Sequence, residues 1–297
     1  MRLPHFFTRP HFFKRHVWPL LRDPIVGFFN NGDLSRGASI AYYTIFSIAP
    51  ILLIATAVAG LAFGYDAARG AVVAELSGIM GKSSAAALQA LLQGARFSNS
   101  SLLATAIGVV TLSITATGVL VELQTALNAI WQVEPAGSIT SSIVRARLLS
   151  LGLLATLGFL LLVSLVISAA LQAASDYLSL NWGGVVPMLR AFNAFVTFVL
   201  ITLLFAAIYK VLPDRDIAWA DVAVGAIVTT FLFAAGKYLI SLYIGTSAVA
   251  SAYGSVGSIL VILLWIYYSA QIFLLGAEFT WVYAQRRRGG VPPPPTN

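Results

Sequence analysis

The sequence predicts an all-α, polytopic membrane protein: about six transmembrane helices in one bundle, with both termini in the cytoplasm. Three observations predict it. Charged residues make up 10% of the 297 positions, against about a quarter in soluble globular proteins. Hydrophobic residues make up 59%, and mean hydropathy is +0.86. Such a chain could not cover a water-facing surface, whereas a bilayer accepts apolar side chains directly. The apolar residues also collect into six long runs, each near the roughly 20 residues that cross ~30 Å of hydrocarbon.

The elements follow in order. Residues 1–36 form a basic, aromatic arm that carries the repeat PHFFTR then PHFFKR. Phe beside Arg or Lys suits a headgroup interface, with rings at the acyl boundary and cations on anionic lipid. The arm is expected to be loosely ordered. The transmembrane domain covers 37–285, with spans near 37–64, 101–125, 148–175, 189–211, 217–244 and 256–284. Ala57-Val58-Ala59 resembles a signal-cleavage triplet, but the charged stretch before the first run is too long for an n-region, so that run reads as an uncleaved anchor. Residues 65–100 read as an outer loop of two short amphipathic helices around Gly81-Lys82-Ser83. Residues 286–297 are a basic, then Pro-rich tail.

Orientation follows from Lys and Arg. Thirteen lie in the arm, the second and fourth connections and the tail, four lie in the other connections, and Lys237 lies within a span. The excess marks the cytoplasmic side.

Several chemistries are set aside. Cysteine is absent, which removes disulfides, thiolate-bound metals and thiol catalysis. Gly81-Lys82-Ser83 ends like a phosphate-binding loop, but Leu76 stands where that loop needs Gly. His5, His11 and His16 all lie in the arm, with no carboxylate at metal-ligand spacing. No nucleophile elbow or spaced carboxylate pair is evident, so no catalytic, cofactor or metal site is expected, and the chain reads as no enzyme.

The candidate functional residues are the polar ones inside the spans, because ionisable groups there are costly. They are Arg36, Tyr43, Ser47, Pro50, Thr115, Glu122, Lys237, Ser241, Gln271 and Glu278. Most recur at helical spacing, so each set shares one side of its helix. Such stripes serve either as helix–helix contacts or as the lining of a polar cavity. Glu122 and Glu278 fall near the cytoplasmic interface, where Arg36 could pair with either. Lys237 is too far along its span to reach them and must snorkel outward or face a wet cavity. Pro50 interrupts the first span. Gly254 and Gly257, in the uncharged segment between spans five and six, are candidate hinges.

ASIAYYTIFSIAPILL (38–53), LNAIWQV (127–133), YKVLPDRDIAWADVAVGAIV (209–228) and YGSVGSILVILLWIYYSAQIFLLGAEFTWVY (253–283) resemble the YihY/BrkB family of bacterial inner-membrane proteins. The resemblance runs in order over most of 30–285. It implies a six-helix inner-membrane protein with cytoplasmic termini and marks Tyr42, Ser47, Pro50, Asn128, Trp131, Tyr209, Pro213, Tyr253, Gly254, Trp265, Gly276 and Glu278 as motif residues. Members of that family have been called virulence factors, linked to envelope lipid handling, or labelled ribonuclease BN. This sequence lacks the His/Asp metal cluster that such a nuclease would need. The expected function is therefore a transporter or lipid translocator in envelope homeostasis, with a non-transporting scaffold as the alternative. Expected partners are membrane lipids and a lipid or small-solute substrate. A homo-oligomer is compatible with the sequence, and nucleic acid is not expected.

Overall fold

Long apolar segments in lipid satisfy their backbone hydrogen bonds internally, so they must be helical. The computed structural model describes residues 18–47, 70, 118–133, 167, 186–246 and 257–289. Among these, regular structure is helical throughout, with no strand. The helices are α1 (Trp18–Asn30), α2 (33–47), α3 (Gly118–Ile130), α4 (Val186–Val211), α5 (Trp219–Thr246) and α6 (Gly257–Arg287). Three of them, α4, α5 and α6, are long and apolar enough to cross a membrane. The chain is an all-α membrane protein.

Helix α6 packs against α5 on one side and α1 on another. It runs antiparallel to α5, as the contacts along it show. Gly225 lies against Thr280, Thr229 against Gly276, and Gly236 against Ile272 and Tyr268. A Cβ added at Gly225 would sit 2.7 Å from Thr280 Cβ, and one at Gly276 would sit 2.8 Å from Thr229 Cβ. Without a hydrophobic force between helices in lipid, such close approach through small residues is what supplies dispersion contact. Helix α4 packs on α5, with Phe198 against Phe231 and Phe205 against Phe233, and its Phe205 and Tyr209 also reach Phe273 of α6. Its outer face presents Phe192, Phe195 and Leu203, and that of α5 presents Phe231, Tyr238 and Leu239. In a soluble protein these faces would be a liability; in a bilayer they are lipid contacts.

The helix ends carry local signals. Helix α4 stops ahead of Pro213, and the Lys210 ammonium in its last turn donates to the Ile217 carbonyl at 2.6 Å and pairs with Asp216. That pairing holds the exposed Asp216 carboxyl below its ordinary range. Asp221 lies in the first turn of α5, where the helix dipole favours an anion. Gly289, at φ 75°, follows α6 and lets its N–H reach the Arg286 carbonyl at 3.1 Å.

Part of the arm differs from the loosely ordered expectation. Residues 18–30 form α1, which packs on α6. Asn31 and Gly32 then turn the chain into α2: the Asn31 N–H donates to the Gly27 carbonyl at 2.8 Å, and Gly32 takes φ 69°. The Asn-Asn-Gly-Asp stretch at 30–33 is a helix stop followed by a helix start. From Asp23 beside Arg286, through Gly27 beside Glu278, to Gly37 beside Gln271, α1 and α2 descend α6 in the opposite direction.

The described cations gather toward one end. Arg286 donates to Asp23 at 2.7 Å, Arg287 donates to the buried Asp221 at 2.9 Å, and Arg288 lies 3.8 Å from the same carboxyl. Nearby, α3 is fastened to the α4–α5 connection. Asn128 donates to Asp214 Oδ2 and accepts from the Asp214 N–H, both at 2.8 Å. Gln124 donates to the same carboxyl at 3.1 Å, and Arg215 donates to the Trp131 carbonyl at 3.0 Å. The motif residues Asn128 and Trp131 thus act as a structural latch.

Candidate functional site

The functional candidates in the sequence separate once the helices are assembled. Glu278, on α6, is fully buried. It stands nine residues before Arg287, about 14 Å inside the end of the helix at 1.5 Å per residue. The Asn31 side-chain amide donates to its Oε1. Gly27 leaves the space that its other oxygen occupies: an added Cβ would lie 2.6 Å from Oε2. Bare backbone on α1 and the turn into α2 therefore form the pocket wall for this carboxyl.

Asp33 completes the site. It is the first residue of α2, it too is fully buried, and it interacts directly with Glu278. Burial raises its carboxyl to about 6 from an ordinary value near 3.8, against the opposing pull of Arg36 and of the neighbouring Glu278 carboxyl. An aspartate at a helix start usually caps it by accepting backbone N–H groups. Asp33 does not: neither of its oxygens has a hydrogen-bond donor among the described residues, and neither has Glu278 Oε2. The N–H groups of Ser35 and Arg36 go to the Gly32 carbonyl instead, at 3.0 and 3.3 Å.

The sequence alone offers Glu278 and Glu122 as partners for Arg36. Its Nε instead donates to the Asn31 carbonyl at 3.2 Å and lies 3.8 Å from Asp33 Oδ1. The reason is local. Asp33 is three residues back on the same helix, within reach of the guanidinium, while Glu278 is engaged by Asn31. Gln271, two turns earlier on α6, donates to the Leu34 carbonyl at 3.3 Å and packs against Gly37. The site is thus a polar seam of Asn31, Asp33, Arg36, Gln271 and Glu278 between the α1–α2 turn and α6.

The remaining candidates lie elsewhere. Tyr43 is partly exposed, stacks edge-on with Tyr42 and packs against Gly118 of α3. Ser47 is buried and donates to the Thr44 carbonyl at 3.1 Å. Glu122 and Ser241 are half-buried. Lys237 is half-buried on α5, with its ammonium 5.9 Å from the Tyr238 ring centre. Gly257 is buried at the start of α6. Pro50, Thr115 and Gly254 lie outside the described residues.

Asp33 and Asn31 precede the first apolar run, where a polar residue carries no burial cost that the sequence alone reveals. The helix-stop pattern at 30–33 was the signal that could have placed them against a membrane helix.

The comparisons with known proteins agree with the sequence resemblance. The family model described as Virulence factor BrkB matches residues 28–297. A UPF0761 membrane protein of Klebsiella pneumoniae is 30% identical over 191 residues, 62% of each chain. The UPF0761 membrane protein YihY of Escherichia fergusonii is 32% identical over 193 residues, 62% of this chain and 61% of the relative. A UPF0761 membrane protein of Rhodospirillum centenum is 26% identical over 282 residues, 92% of this chain and 59% of the relative. The chain therefore spans about three fifths of the length of these curated relatives. No solved structure matches it. With a family match over nearly the whole chain and three membrane-capable helices, this multi-pass membrane protein belongs to the YihY/BrkB family.

Proposed function

We propose that the chain is a transporter or lipid translocator of the bacterial inner membrane, acting in envelope homeostasis and performing no covalent chemistry. One observation carries this reading: the fully buried Glu278 carboxyl in a membrane-capable helix, facing a second buried carboxyl across a polar seam. A purely structural helix contact has no need of two acids with unsatisfied oxygens. Intramembrane ionisable groups of this kind mark pathways for ions, protons or polar headgroups.

The test is transport by reconstituted protein. Proteoliposomes containing the full chain should move a labelled phospholipid between leaflets faster than empty liposomes. Glu278→Gln, which keeps shape and amide-bonding capacity, should lower that rate at least about tenfold, which is ~1.4 kcal/mol in the barrier. Equal rates for wild type, Glu278→Gln and empty liposomes, with a small-solute panel also unmoved, would sink the reading.

A second reading, a membrane scaffold, is favoured by α1. Its docked face buries Pro24 and Phe28, yet Trp18, Leu21, Ile25 and Phe29 stay exposed along the other face. A helix with apolar residues on both sides contacts α6 with one and lipid or a partner with the other. Scaffolding predicts a stable copurifying complex that is lost when those four residues are made polar, with Glu278→Gln harmless.

A further inference from the structure

We propose that Asp33 and Glu278 form a proton-binding site that holds one shared proton between α2 and α6, whatever the chain transports or recruits.

The geometry carries the argument. Two carboxyls from different helices are both completely removed from solvent, and the same turn holds them: Asn31, two residues before Asp33, donates to Glu278, and Gly27 packs against its other oxygen. Of their four oxygens, Glu278 Oε1 alone receives a hydrogen bond from the described residues; the other three have no donor. Leaving buried acceptors unsatisfied costs roughly 1–3 kcal/mol each, and more for charged groups. A single proton removes most of this deficit, because a protonated carboxyl donates to its ionised neighbour. The proton is shared, so it belongs to the pair and not to either residue.

The charge balance gives the same stoichiometry. With both acids ionised, Asp33, Glu278 and Arg36 sum to one excess negative charge in a buried site. One proton brings the sum to zero. Two like charges in one buried site cannot both ionise readily. The elements packed around the pair supply no further cation among the described residues. On α1, Asp23 is paired with Arg286; on α5, Asp221 is paired with Arg287 and Arg288, all near the distal end of α6. Lys237 of α5 lies beside Tyr238, further along α6 in the other direction. Glu122 of α3 is half-buried and is not among the groups acting on either acid. From its own elements, the pair meets Arg36 on α2, Asn31 in the turn and Gln271 on α6.

The ligand is a proton rather than a metal ion on the same grounds. Among the described residues no group of three His, Cys, Asp or Glu side chains could hold a metal, and the Arg36 guanidinium already lies 3.8 Å from Asp33 Oδ1. Holding the proton joins the α1–α2 turn to α6; releasing it leaves two anions in contact and pushes the turn off the helix.

Infrared spectroscopy of the purified full chain tests this without relying on any variant. Wild-type protein near pH 5.5 should show a protonated-carboxyl stretch, because most other carboxyls are then ionised. The band should bleach as pH is raised to about 8, with release of about one proton per chain more than from Glu278→Gln. Asp33→Asn should lose the same band. Absence of any protonated-carboxyl band in the wild type would overturn the proposal. So would proton release that is identical in wild type and both variants. If sodium at constant pH abolishes the band and raises the melting temperature in the wild type alone, the site is a cation site and the proton assignment fails. None of these readouts involves lipid movement, so the proton site and the transport reading stand or fall separately.

Discussion

Helix α6 carries two polar regions, and they are built in opposite ways. One surrounds Tyr209. Its hydroxyl donates to the Phe273 carbonyl at 2.7 Å and lies 3.1 Å from Thr229 Oγ1, which itself donates to the Gly225 carbonyl at 2.7 Å. Thr202 and Thr230 lie 3.0 Å apart in the same layer, and each donates to its own helix at 2.8 Å. Every member is neutral and has a partner. The other region is the Asp33–Glu278 pair, which is ionisable and short of donors. Neutral hydroxyls that bond their own helix and its neighbour are the lipid-phase way to fasten helices together. A pair of acids is a poor fastener, because its stability depends on a proton that the solution supplies. The first region is architecture; the second has a state.

That contrast can be broken at three places. The largest effect is expected where the two helices touch most closely. Gly276→Leu places a side chain where Thr229 already stands, and overpacking of this kind costs about 3 kcal/mol. A melt in detergent should show the variant largely unfolded or separated along the α5–α6 seam, while a Gly289→Ala control keeps the seam intact. A native-like melt for Gly276→Leu would mean that the contact is looser than drawn.

The next effect is on pH dependence. With the Asp33 carboxyl raised to about 6, the folded chain keeps the pair's proton at pH values where an unfolded aspartate, near 3.8, has released it. The folded state therefore binds the proton more tightly. The stability this contributes is complete below about pH 3.8 and is lost as pH rises through about 6. Wild-type melting temperature should accordingly fall between about pH 5 and pH 7.5, and Asp33→Asn should flatten that fall. A wild-type profile that rises over this window, or an unchanged slope in Asp33→Asn, would contradict the sign.

The smallest effect belongs to the satisfied layer. Tyr209→Phe deletes one hydroxyl and leaves the ring stack with Phe205 and Phe273 in place. Hydrogen bonds between membrane helices average about 0.6 kcal/mol, so the loss should be under ~1 kcal/mol and equal at every pH. A pH-dependent loss would link the two regions and erase the distinction between them.

Much of this molecule is legible before folding is considered. The apolar runs announce the helices because in lipid no other backbone arrangement satisfies the peptide groups. Glu278 announces itself as the acid in the last run, since the cost of burying it is a property of the residue and the run together. Arg36 was legible as an interfacial cation but not in its pairing. Pairing depends on which groups come within about 4 Å, and that is set by how α1 turns into α2. Asn128 reads as a motif residue, yet its role in gripping Asp214, 86 positions away, is a fact of assembly. The same holds for Gly27, whose missing side chain matters solely because Glu278 arrives opposite it.

The sequence by itself determined that this is a helical membrane protein, which segments are apolar, and that an acid sits within the last of them. Those follow from transfer free energies, which act residue by residue and need no partner. The tertiary structure alone decided that α1 folds onto α6, that Asp33 and Glu278 are buried at the same turn, and that three of their four oxygens find no donor among the described residues. Those are relations between helices distant in sequence, and they exist only once α2 and α6 are packed side by side.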